Sequence, residues 1–449
     1  MGGFLDNGFS VGMRTGNSAL AALEPARYFD EIPIPYGSSM TAIEAALDEN
    51  AAIANAGAYY VKPSTGSDSN DGSEGSPFAT VTKAMRTATG AASRIAMLED
   101  AVIEPFDLRA TDASQSTQQF KWLDANGYDV TIRVSGPALS AQTWTQDGTH
   151  TNCFKATLSV GTNGQITRVL NTATADDYGY DTPLRKYASA SALNAGSDPG
   201  WYWDNTGKVL WVNIGADFEA AKADYRALYL NSGGLSRMLV YGAALGLSGV
   251  TLEGVYIFPL DNSGRRPEIW MHNCQSIYSC NKGIDLRGWA VLTDSQIYGA
   301  AFDGVNGFQS WSGGQSLIQS VNSRFIRCGD RRTFDVNGTY QGVSAHGGCD
   351  HISFRSQFVE NNGQGVADTC INGASNLTWI RDSLATGGAS GVTVSNYLFG
   401  NGTTGNRKVW LDSCTSTASS SEDLIANADT TVKIRQTAFA SVSGVVELY

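Results

Sequence analysis

The chain has 449 residues, with 31 Lys and Arg against 43 Asp and Glu, a formal net charge of −12 and a charged fraction of 16 %. It lacks the basic footprint of a nucleic-acid binder, so no nucleic-acid partner is expected and a neutral or sugar-like ligand is easier to accommodate. With 50 Gly, 11 Pro and almost no helical pattern beyond about residue 95, it does not read as an ordinary large α/β enzyme.

The opening "MGGFLDNGFSVGMRTG" lacks the basic start and apolar core of a secretion signal. Asp6 and Asn7 stand where a myristoylation pattern needs Ser or Thr, so synthesis and assembly in the cytoplasm are expected. No apolar run of ~18 residues occurs, so no membrane insertion is expected. In "SSMTAIEAALDENAAIANAGA", Thr41 and Glu44 form a capping box, and Met40, Ile43, Leu47, Asn50 and Ala54 alternate by three and four. That pattern fits a docking helix or a short coiled-coil seam. Residues 1–57 are read as an attachment or assembly segment.

Next comes "YYVKPSTGSDSNDGSEGSPFATVTKAM". An EF-hand loop needs Gly sixth and Glu twelfth; with Gly72 sixth, Phe78 is twelfth, so a calcium loop fails. A linker has no use for Pro77 at a helix start, followed by Phe78, Val81, Ala84 and Met85 at near-helical spacing. Residues 58–104 are therefore read as an entry strand and capping helix.

Residues 105–235 are less regular, with a hairpin in "PGWYWDNTGKVLWVNIG" turning near Asn205-Thr206-Gly207. Its Trp201, Trp203 and Trp211 could stack on sugar rings, but a small satellite core is the preferred reading.

From residue 236 to 449 the chain repeats itself. "DSQIYGAAFDGV" (Asp294 to Val305) lines up without gaps on "RSQFVENNGQGV" (Arg355 to Val366), and "NSRFIRCGD" repeats the opening half, with Gly342-Val343 closing that copy. "IRDSLATGGASGV" is matched to "FRSQFVENNGQGV" with Arg381 opposite Arg355. Each unit has short alternating strands and Gly/Asn/Ser turns, and must stack on its neighbours to bury an apolar face. The fold class expected is all-β, a parallel β-helix. "TAFASVSGVVELY" is strand-like up to Tyr449, and a coil stack stopping there needs its last layer covered, most simply by a neighbouring chain. The seven cysteines (Cys153, Cys274, Cys280, Cys328, Cys349, Cys370, Cys414) are scattered without a Cys-x-x-Cys pair, and read as reduced structural thiols, with no metal and no cofactor expected.

The entry strand, Gly/Asp/Asn loop, Ser-Pro-Phe-x-Thr and short helix of Tyr59 to Met85 resemble the start of many right-handed parallel β-helix proteins of the pectate-lyase-like class. That resemblance implies architecture and a bias toward carbohydrate substrates. With its signal-free N-terminal segment, the organisation looks like a bacteriophage tail spike, departing from many spikes in having no separate C-terminal domain. The likeness implies a virion-tail location after assembly in the host cytoplasm, contacts with other tail proteins through the N-terminus, a homotrimer, and a bacterial surface polysaccharide as partner.

Aligned coils place Asp294, Asn322, Arg355 and Arg381 in one outward column, and Gln296, Arg324, Gln357 and Ser383 in the next but one. Such columns suit hydroxyl-rich ligands or a solvated face. In "GDRRTFDVNGTYQGVSAHGGCDH" an insertion leaves after Asp330 and returns at Gln341. In register, Phe308, His346 and Thr369 stack outward, while Ala345 and Asp368 point inward, where a carboxylate needs a partner. Glycosidic hydrolysis needs two carboxyls, and acids one or two coils apart meet the spacing; Asp303, Asp330, Asp335, Glu360 and Asp368 are the candidates. A lyase would use His346 as base, with Arg331, Arg332 or Arg355 neutralising a uronate. Opposed to these, Glu360 beside Arg327 reads as a surface pair, Asp330 as a turn residue and His351 as a strand-end neighbour of Asp350. Expected substrate contacts are Arg324, Arg355, Gln357, Arg381 and Phe308. Three functions fit: a tail-spike-like depolymerase, a non-enzymatic receptor-binding or structural tail protein, and a free polysaccharide lyase or epimerase.

Overall fold

A computed structural model describes residues 58–88, 92–109, 120–161, 164–230, 237–260, 267–309, 314–329, 340–369, 375–387, 395–400, 406–419, 421–427, 430–437 and 439–448. The expected N-terminal helix and attachment segment (residues 1–57), Cys370, and the inserted loop with Asp330, Arg331, Arg332 and Asp335 lie outside the described residues.

Among the described residues, three parallel sheets of 12, 10 and 9 strands run the length of the molecule. One complete coil is Glu268–His272 in the twelve-stranded sheet, Gln275–Ile277 in the nine-stranded sheet and Ile284–Leu286 in the ten-stranded sheet. The next coil stacks on it in register, with Ile269 on Ala290, Gln275 on Gln296 and Ile284 on Val305. The fold is a right-handed parallel β-helix, as expected. Inward residues of all three sheets share one core, including Leu245, Met271, Ile297, Val305, Phe325 and Val366, each at most 1 % exposed. Removing such faces from water at roughly 25 cal/mol per Å² is what drives the stacking. The outer face of the twelve-stranded sheet buries a second cluster, with Trp122, Trp270, Trp289, Trp379 and Trp410. Gly246 sits in its midst because the Trp122 ring lies where any Cβ would go.

The turn between the twelve- and nine-stranded sheets has a fixed grammar. One residue adopts a left-handed conformation (Asn273, Asp294, Asn322, Arg355, Asp382), a shape most readily taken by Asn and Asp. A buried Ser follows four of these five, with Cys274 after Asn273: Ser295 Oγ accepts from Cys274 N at 3.1 Å, and Ser383 Oγ accepts from Ser356 N at 3.1 Å. This grammar corrects the register of one coil. Phe354 pairs with Arg381 and Gln357 with Leu384, so Asp382, not Arg381, follows Arg355, and Leu384, not Ser383, follows Gln357.

The entry segment is an ordered cap. Tyr60 N donates to Gly72 O and Phe78 N to Tyr60 O, each at 2.9 Å. Asp68 accepts from Ala79 N and Thr80 N, and Thr80 caps the helix Val81–Thr87 by accepting from Lys83 N. The helix begins three residues after Phe78 rather than at Pro77, because the carbonyl of Pro77 is taken by Ser67 N and Asn70. Phe78, Val81, Ala84 and Met85 close the first coil's core.

The sequence treats all of 105–235 as irregular; the structure puts Leu108–Arg109, Phe120–Asp124 and Val130–Ile132 already in the three sheets. The insertion proper lies between Val130–Ile132 and Arg237–Tyr241, and folds as a three-stranded and a five-stranded sheet. Its hairpin is Gly200–Asp204 with Val209–Asn213. Trp201 and Trp203 fill a satellite core with Trp144, Val169 and Phe218, while Trp211 lies half-buried on the opposite face beside Tyr202.

Candidate functional site

The insertion roofs the nine-stranded sheet. Tyr178 and Tyr180 pack with Ile277, Tyr278, Tyr298, Ile326 and Val359, which end successive strands of that sheet. Tyr180 stacks on Tyr298 at 4.4 Å, and Arg168, fully buried, donates to Gly299 O. Arg327 bonds Glu360 at 2.7 Å and Asp176 at 3.0 Å, and Arg226 pairs with Glu253 at 2.5 Å.

That roof decides several expected roles. Arg324 lies 5.9 Å from the Tyr178 ring and Gln296 Nε2 donates to Tyr180 OH at 2.6 Å, so both serve the docking of the insertion. Glu360 is the ion-pair partner of Arg327. Arg355 is a half-buried turn residue, Gln357 is exposed, and Arg381 is buried with Nε 3.3 Å from Asp382. These residues do not converge on one site.

Asp368 points inward, as the register requires, and is 0 % exposed. Asn376 Nδ2 and Thr378 Oγ1 donate to it at 2.8 and 3.0 Å, and Arg407 Nε lies 3.7 Å away. Its partners satisfy the buried charge, and its sealed position keeps it from any substrate. Asn376 also donates to His346 O, so the pair orders the turn that carries His346.

The outer face of the ten-stranded sheet does gather chemistry. Alternation sends Asp285, Asn306 and Ser344 outward from successive strands, between inward pairs such as Ile284 and Leu286. Just before these strands the register stacks Lys282, Asp303, Gln341 and Gln364; just after them it stacks Arg287, Phe308, His346 and Thr369. In the second group Arg287 lies 4.4 Å over Phe308, whose ring stacks on His346 at 4.3 Å and 15°. His346 Nδ1 is 2.8 Å from Thr369 Oγ1, and Nε2 is 3.0 Å from Ser344 Oγ. In the first group, Gln341 N donates to Asp303 at 2.7 Å and Gln341 Nε2 to Gln364 at 2.8 Å. Lys282 Nζ bonds Asp285 at 2.9 Å, and Asn306 Nδ2 donates to the same carboxylate at 3.0 Å.

The electrostatics separate these groups. Burial pushes the Asp303 carboxyl up to about 7, the nearby Asp285 charge adding to it while Gln341 N–H and Lys282 act against it. Burial, followed by Lys282 and Arg287, lowers His346 to about 4, so its ring is neutral at pH 7. A protonated acid beside an ion-paired carboxylate can give a proton to a leaving oxygen. His351, by contrast, is fully buried, 2.6 Å from Ser353 Oγ and lowered to about 3, which makes it a core residue.

The sequence singled out Asp303, Phe308 and His346 here but missed Lys282, Asp285, Arg287, Asn306 and Ser344. The signal was present in the middle residues of "IDL", "VNG" and "VSA", which alternation places outward. Among the described residues no His, Cys, Asp and Glu group could hold a metal, and no helix is long and apolar enough to cross a membrane.

No protein-family model matches the chain, and no curated protein matches it. Among solved structures it is similar to XylC in complex with xylose, at 12 % identity and TM-score 0.52 over 87 % of this chain and 70 % of that one. It is also similar to a glycoside hydrolase at 10 % identity and TM-score 0.49, over 87 % and 96 % of the two chains. A tailspike protein of an Acinetobacter baumannii bacteriophage, described as a capsular polysaccharide depolymerase, matches at 9 % identity and TM-score 0.26, over 80 % and 57 %. At these identities the likeness is one of fold alone, the parallel β-helix.

Proposed function

We propose that the chain is a polysaccharide-degrading enzyme that holds its glycan against the outer face of the ten-stranded sheet and cleaves it by hydrolysis. Asp303 gives its proton to the departing glycosidic oxygen, and Asp285, one coil away and bonded by Lys282 and Asn306, acts as the second carboxylate. The observation that carries this reading is that the buried Asp303 and the ion-paired Asp285 lie on adjacent coils, near enough for the Asp285 charge to add to burial in pushing the Asp303 carboxyl up. Phe308 is held between Arg287 and His346, which orders the side chains beside the two acids.

A second reading is β-elimination with His346 as base. The neutral state of its ring and the two cations Lys282 and Arg287 favour it. Against it, both ring nitrogens already face hydroxyls.

In either case the proposal includes a tail-spike setting: residues 1–57 attach to other tail proteins of a virion, three copies associate, and the substrate is a bacterial surface polysaccharide. The capping box and three-four pattern in the sequence of residues 38–57 support it.

The test incubates the protein with a panel of capsular and exopolysaccharides, following new reducing ends together with the ultraviolet absorbance of unsaturated products. Reducing ends alone support hydrolysis; both signals rising transfer the role to His346. Neither signal on a glycan that the protein binds would overturn enzymatic activity and leave an adhesin.

A further inference from the structure

The insertion holds two adjoining cavities that the ten-stranded sheet does not use. One, of about 540 Å³, is lined by Gln146, Asn152, Phe154 and Asn213 among others; its neighbour, of about 500 Å³, by Asn171, Thr182, Arg185 and Tyr225. They share Asp198, Pro199 and Ile214, so the two form one groove along the end of the five-stranded sheet and onto the three-stranded one. Each is of a size that takes a small ligand.

The lining chemistry narrows the occupant. Phe154, Ile214 and Tyr225 are half-buried and supply apolar patches, and seven of the remaining lining residues are amides and hydroxyls. Arg185 is the cation of the lining, and it pairs with Asp198 at 2.8 Å inside the same groove. With Asp217 also on the wall, the groove offers no net positive charge to a phosphate or a uronate. Ring faces with an apolar side and a rim of hydroxyls match such a surface, where amides donate and accept at once.

We propose that this groove is a second glycan-binding site, one that takes an uncharged polysaccharide segment. The insertion is clamped to the coils through Arg168, Arg226 and Arg327, so the groove is a fixed anchor on the same body as the ten-stranded sheet. A polymer gripped there raises the effective concentration of its neighbouring sugars at a second site without any change in that site's own contacts.

The test is affinity electrophoresis in gels carrying a neutral glucan, galactan or mannan, with anionic alginate as comparison. Ser197 is exposed on the groove wall, so Ser197→Trp obstructs the groove without removing packing; Ile214→Arg is the second variant. The expected result is retardation of the wild type by at least one neutral polymer, weakened about tenfold or more in both variants, whose thermal melting stays at the wild-type temperature. Asp303→Asn should be retarded like the wild type, which separates this site from the proposed hydrolytic one. The inference is overturned by equal retardation of the wild type and a folded Ser197→Trp variant, by no retardation in any neutral gel, or by stronger retardation on alginate. Because the readout is binding, it stands even if no turnover is found.

Discussion

The nine-stranded and ten-stranded sheets are built from the same coils, yet their outer faces have opposite fates. On the nine-stranded sheet, Arg324, Gln296, Arg327 and Glu360 are spent on the insertion, held by rings and ion pairs. On the ten-stranded sheet, Asp303 and His346 sit displaced from their ordinary pKa ranges in opposite directions. A solenoid repeats its backbone, so chemistry is decided by which outward column is spent on the insertion and which keeps its polar side chains for one another.

The sharpest break of this contrast is Asp303→Asn. It should lower turnover about 10²–10⁴-fold, whereas Gln357→Ala on the other sheet leaves turnover unchanged; initial rates of reducing-end release decide it. Wild-type activity should also fall as pH rises through about 7, where Asp303 ionises.

Next in size is Asp368→Ala, which takes the buried carboxylate from Asn376, Thr378 and Arg407 and should cost about 3–5 kcal/mol in urea unfolding. A destabilisation under 1 kcal/mol would mean that the inward acid is not held as described.

The third concerns pH and stability. The folded Asp303 pKa lies above its unfolded value, so its ionisation opposes folding; its contribution is lost as pH rises from about 4 to about 7. His346 and His351 are depressed bases, so they oppose folding as pH falls below about 6.5, where the unfolded state gains protons they refuse. The Asp303→Asn variant should therefore gain on the wild type between pH 4 and 8 by a few kcal/mol. Melting curves across that range with no relative gain would count against the buried acid.

Smaller again, Arg168→Leu removes a charge-assisted bond under the insertion and should cost about 1.5–3 kcal/mol, read as faster proteolysis within residues 133–236. Smallest is Glu360→Gln, which weakens the half-exposed pair with Arg327 and should cost about 0.2–1 kcal/mol.

The coil repeat was legible because Ser-Gln-apolar and Gly-Val recur at turn and strand positions, and the inward aim of Asp368 followed from the same register. The slip at Arg381 arose because "IRDS" and "FRSQ" share an apolar-Arg pair, while the anchor is the buried turn serine, Ser356 on Ser383. The roof over Arg324 was not legible, since no local pattern tells where a distant insertion lands. Asp285 was missed for a related reason: a lone acid in "GIDLRG" acquires meaning only when Lys282 and Asn306 close on it.

The clamps of the insertion also bear on how the molecule comes apart. A plain stack opens one coil at a time from its weaker end, each layer knowing only its neighbours. Here Arg168 reaches Gly299 across 131 positions and Arg327 reaches Asp176 across 151. The early coils are thereby spliced into a block that must yield as a whole, while the strands beyond Ser375 are left as a zipper. Pulled or heated, the strands beyond Ser375 would part layer by layer before the splice gave way.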